Sequence, residues 1–67
     1  MTLRQKLEEH SGSVYGFGRD HGINASTLYN IVRRKRAASA GVMETLQRTL
    51  GEDVKTLFDE DGILLEK

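Results

Sequence analysis

The chain has 67 residues, 37% of them hydrophobic, four of them aromatic and none of them cysteine. That is material for one domain with one small core; it excludes a second domain, a deep catalytic cavity, a disulfide scaffold and a thiolate zinc site. Ten basic and ten acidic side chains cancel. No apolar run approaches the roughly 18 residues of a membrane span and the N-terminus lacks the apolar core of a signal peptide, so a cytoplasmic location is expected.

The cancellation conceals a split. Residues 1–36 carry seven cations against three anions, and residues 37–67 carry three cations against seven anions. A +4 half and a −4 half predict a dipolar surface whose basic face meets phosphates while the acidic face stays clear of them.

Helical punctuation recurs along the chain. Thr2-Leu3-Arg4-Gln5 has capping-box spacing, Leu3 and Leu7 share a face, and this first helix is expected to end near His10. Ser13 is a second N-cap, Val14 and Phe17 with His21 form an inward side, and Gly22 suits a left-handed stop. Gly16 and Gly18 inside that helix each cost about 1 kcal/mol against alanine, which points to close approach of a neighbour. Asn24 caps a third helix whose inward residues are Leu28 and Ile31. Two short helices joined by a glycine-containing turn of three residues have the parts of a helix-turn-helix. Ser39 caps a fourth helix with Val42, Leu46, Thr49 and Leu50 inward and Met43 at the border, ended by Gly51. Asp53 is expected to cap a fifth helix ending near Leu57-Phe58. Asp59-Glu60-Asp61-Gly62 reads as a turn and Ile63-Leu64-Leu65 as a short extended tail. The expected fold class is all-α, a compact five-helix domain over residues 1–58 with a tail at 59–67.

"FGRDHGINASTLYNIVRRKR" resembles the DNA-binding segment of the Cro/C1-type helix-turn-helix regulators, the XRE family. The resemblance runs over residues 3–58, with Phe17 at the apolar position, Gly18 at the usual alanine, and Gly22-Ile23-Asn24 at the turn. Leu28 and Ile31 fall at the core positions of the recognition helix, and "LGEDVKTLF" is similar to the family's closing segment. Three departures stand out: Val14 replaces a frequent phosphate-holding glutamine, Ala25 a long polar base reader, and Val32 and Arg34 a frequent Glu and Gly. The resemblance implies a lambda-repressor-like fold and a DNA-binding transcriptional regulator, by analogy a phage Cro-like repressor, in the bacterial nucleoid or a phage-infected cell.

Helical spacing gives the faces independently. With Leu28 and Ile31 inward, Ala25, Ser26, Tyr29, Asn30 and Arg33 face outward. In the family's geometry the helix of about residues 25–33 lies in the major groove, making Ala25, Ser26, Tyr29 and Asn30 the base-contacting candidates. Asn30 suits adenine, Ser26 either base type, and Ala25 a thymine methyl. The run Arg33, Arg34, Lys35 and Arg36 stands where the chain leaves that helix, and cations there supply affinity and register rather than sequence preference. Arg19, Asn24 and Thr27 are further phosphate candidates. A near-palindromic site implies two copies. Phe58, Ile63, Leu64 and Leu65 are the candidate dimer contacts, although plain core is the favoured reading for Phe58 and a disordered tail rivals an arm for the last three.

No enzyme is expected: there is no cysteine nucleophile, His10 and His21 have no ligand spacing, and Ser11-Gly-Ser13 is a loop and cap. "DEDG" lacks the alternating oxygen ligands of a calcium loop. No metal, cofactor, membrane or small-molecule ligand is therefore expected. An RNA reading lacks an aromatic stacking platform. The alternative is a protein-interaction module, such as an antitoxin or anti-repressor, built on the same fold.

Overall fold

The structure, a computed structural model, describes residues 2–65. Helix α1 (Leu3–Ser11) begins with the expected reciprocal cap: Gln5 N–H donates to Thr2 Oγ1 at 3.1 Å and Thr2 N–H donates to Gln5 Oε1 at 2.8 Å. Ser13 Oγ accepts from Gly16 N–H at the start of α2 (Val14–His21), and Asn24 Oδ1 accepts from Ser26 N–H at the start of α3 (Ala25–Val32). Ser39 Oγ accepts from Val42 N–H at the start of α4 (Ala40–Leu50). Each side chain satisfies an amide that the first helical turn leaves unpaired, so four caps in the sequence set four helix starts.

The fifth element differs from the expectation. Glu52–Leu57 is a 3-10 helix, Gly51 stands at its cap position, and Asp53 lies inside its first turn without capping it. Six residues between Gly51 and Phe58 are closed by short-range bonds, Val54 N–H to Gly51 O and Phe58 N–H to Lys55 O, which favour the tighter winding.

A second correction concerns residues 59–65. Asp59 Oδ1 accepts from the amides of both Asp61 and Ile63, at 2.9 Å each, and the chain reverses there. Phe58 and Leu64 then pair in an antiparallel bridge, flanked by Asp59 N–H to Ile63 O and Leu65 N–H to Leu57 O. Leu64 is 3% exposed and Phe58 7%. The expected boundary at residue 58 therefore falls inside a packed turn, and the segment that follows places Leu64 in the core while Asp59, Glu60, Asp61 and Leu65 stay exposed. Glu66 and Lys67, the end of the expected tail, lie outside the described residues.

The core draws on every element: Leu3 and Leu7, Val14 and Phe17, Leu28 and Ile31, Leu46, Val54, Phe58 and Leu64. On α4 only Leu46 is fully buried; Val42, Met43, Thr49 and Leu50 are half-buried beside it. The described chain is all-helical, and none of its helices is long and apolar enough to cross a membrane.

Candidate nucleic-acid interface

The pair α2–α3 is held by a close approach at Gly18. A Cβ there would stand 2.6 Å from Ile23 O and 3.1 Å from Leu28 Cδ1, so α3 packs against α2 at a distance only glycine allows. Gly16 is as constrained, with its missing Cβ 2.8 Å from Ser11 O at the end of α1. The turn is Gly22–Asn24: Gly22 takes φ 70°, and Ile23 N–H donates to Gly18 O at 2.8 Å.

Leu28 and Ile31 are both 0% exposed. The opposite face of α3 is open to a graded extent. Ser26 is exposed, whereas Ala25, Thr27, Tyr29 and Asn30 are half-buried. Tyr29 packs its ring against the core cluster and carries the Arg33 guanidinium 5.8 Å above it. Of the further candidates, Asn24 has its carboxamide oxygen engaged in the cap. Arg19 is exposed and stands over the Tyr15 ring at 5.9 Å.

The four cations are all exposed, and two of them have side-chain contacts of their own. Arg33 is the C-cap of α3. Arg34 takes φ 66°, the one non-glycine residue with positive φ among the described residues. Its amide bonds Ile31 O at 3.0 Å, and the Lys35 amide bonds Asn30 O at 2.9 Å. This pair of bonds closes a helix with a left-handed residue, a place glycine usually fills. The Arg34 side chain turns to the C-terminal segment, Nε donating to Leu64 O at 2.9 Å. Arg34 is thus tied to protein, and Lys35 and Arg36 follow the reversal it makes.

Tyr15, a further aromatic on this side of α2, is 56% exposed, and its four-residue spacing from Arg19 puts the two on one helix face. His21 stacks on Phe17 at 4.2 Å between ring centroids, Nδ1 3.1 Å from Phe17 O, and His10 meets Phe17 edge-on. Both histidines pack on the core phenylalanine, and no group of three or more metal-ligating side chains occurs among the described residues. Of the residues expected at a dimer contact, Phe58 and Leu64 are engaged in the chain's own core, Ile63 is half-buried, and Leu65 is 54% exposed. No family model, curated protein or solved structure matches this chain.

Proposed function

We propose that the chain is a Cro/C1-type helix-turn-helix regulator with a lambda-repressor-like arrangement of its five helices, binding double-stranded operator DNA with α3 in the major groove. The observation that carries the reading is the seating of α3: Leu28 and Ile31 fully buried on one side, Ser26 exposed and Asn30 half-buried on the other. Helix α2 is fixed beside it by the Gly18 contact. A rigid two-helix unit with a short polar outer stripe is what major-groove readout requires. Ser26 and Asn30 read base edges, Ala25 and Tyr29 add apolar and reach contacts, and Arg19, Thr27 and Arg33 meet phosphates.

Selection of bound duplexes from a random pool, followed by titration across salt, tests this. The expected outcome is enrichment of a short, near-palindromic sequence whose affinity falls linearly with salt on logarithmic axes. A pool that stays random, or binding indifferent to salt, would overturn the reading.

A further inference from the structure

His10 and His21 have no ligand spacing in the sequence, yet the turn between α1 and α2 brings their rings to 5.8 Å between centroids, with planes inclined at 51°. His10 is the next-to-last residue of α1 and His21 the last of α2. Phe17 meets both, stacked with His21 at 4.2 Å and edge-on to His10 at 5.7 Å. Its side chain is fully buried, so the pair rests on a fixed apolar floor.

Both rings make a hydrogen bond through the same nitrogen. His21 Nδ1 is 3.1 Å from Phe17 O, and a carbonyl only accepts, so Nδ1 carries the proton and Nε2 the lone pair. His10 Nδ1 is 2.9 Å from Ser11 Oγ, a partner able to accept in the same way. Among the described residues neither Nε2 makes a hydrogen bond. An oxygen on Nδ1 that leaves Nε2 basic is the outer-shell arrangement of metal-bound histidines. The electrostatic setting agrees, since two helix C-termini meet here and their dipoles favour a cation. His10 is exposed and His21 half-buried, so an ion reaches them from solvent.

We propose that His10 and His21 form a two-imidazole site for one divalent transition ion of the copper, nickel and zinc class, bound through the two Nε2 atoms with water completing its shell. With a Zn–N bond of about 2.0–2.1 Å, two imidazoles at a tetrahedral angle stand with centroids roughly 5 Å apart. The observed 5.8 Å closes to that with a small turn of the exposed His10 side chain. Neutral imidazole nitrogens suit these ions, whereas magnesium and calcium take oxygen ligands. No third metal-ligating side chain joins the pair among the described residues. Two ligands fall short of the four of a structural zinc site, so the ion is exchangeable, and its effect is to clasp the end of α1 to the end of α2.

Isothermal titration calorimetry of the full chain with zinc, copper(II) and magnesium chlorides, in a non-coordinating buffer without DNA, tests the proposal. One zinc ion per chain is expected, with copper(II) tighter and magnesium giving no heat. His10→Gln and His21→Gln are each expected to weaken zinc binding at least about tenfold, with melts in EDTA showing that each variant is folded. Because the ion ties two helices, zinc at about a hundredfold above its Kd raises the wild-type Tm by roughly 10–20 °C. The same zinc leaves the melt of His10→Gln, a change at an exposed position, where it was. Binding that survives either substitution, one ion shared by two chains, or a wild-type melt that zinc does not move overturns the proposal. Because the assay holds no DNA, its failure leaves the DNA-binding reading standing, and the reverse is equally true.

Discussion

Arg34 carries two opposed effects, and substitution separates them. Holding a side chain in the left-handed region costs about 1–2 kcal/mol relative to glycine's freedom there, of which glycine's greater unfolded-state entropy returns ~0.4–1 kcal/mol. Arg34 sits at φ 66°, so glycine at this position is expected to be better than alanine by about 1 kcal/mol. Against this stands the charge-assisted bond from Nε to Leu64 O at 2.9 Å, worth ~1.5–3 kcal/mol when shielded and about 1 kcal/mol at a side chain this exposed. Arg34→Ala loses the bond and keeps the backbone cost, for a net loss of about 1 kcal/mol. Arg34→Gly loses the bond but relieves the backbone, and its stability is expected to equal the wild type. For a domain of this size 1 kcal/mol moves Tm by roughly 4–8 °C, well within reach of thermal melts followed by circular dichroism. If glycine proves as destabilising as alanine, the left-handed residue carries no strain. If alanine melts with the wild type, the bond to Leu64 contributes nothing. In either case the account of the α3 exit fails.

Gly18→Ala forces a Cβ to within 2.6 Å of Ile23 O, and the expected loss is about 1–2 kcal/mol by urea denaturation after the gain in helix propensity is subtracted. Gly41→Ala, with nothing within 4 Å, should stabilise by up to ~1 kcal/mol and serves as its control. Leu64→Ala is expected to cost about 2–4 kcal/mol and Leu65→Ala almost nothing; equal melts for the two would show that the C-terminal segment is not core. Ser26→Ala and Asn30→Ala should leave Tm in place while relaxing sequence preference at one base pair each, by ~1–3 kcal/mol in competition binding for the Asn30 pair. A uniform loss across all duplexes would move these residues from base to backbone contact.

Much of the fold was legible because it is decided locally. Thr2, Ser13, Asn24 and Ser39 each close a cap with an amide two or three residues on, and that geometry depends on neighbours in sequence alone. The pairing of Leu28 with Ile31 needed only helical spacing. Even the conformation of Arg34 had a sequence trace, since the resemblance puts a frequent glycine there. What the side chain does had none: its partner, Leu64 O, is 30 residues away. The C-terminal segment was illegible for a related reason. Ile63, Leu64 and Leu65 are too few to display an alternating period, and the reversal that turns Leu64 inward is made by the Asp59 carboxylate gripping two amides and by backbone bonds from Asp59 to Ile63 and Leu65 to Leu57. Asp53 shows the limit of cap residues as signals: a 3-10 turn closed by Gly51 left nothing for it to cap.

If the chain binds DNA as proposed, the members of the cationic run differ in what they contribute to its salt dependence: Arg33 lies over Tyr29 at the end of α3 and is the phosphate candidate, whereas Arg34 Nε is bonded to Leu64 O. Neutralising Arg33 with glutamine is therefore expected to reduce the logarithmic salt slope of duplex binding by about one, and neutralising Arg34 to leave it unchanged. Fluorescence anisotropy on one duplex across salt checks both: a slope unmoved by Arg33→Gln would remove Arg33 from phosphate contact, and a slope lowered by Arg34→Gln would mean that its bond to Leu64 O gives way on DNA.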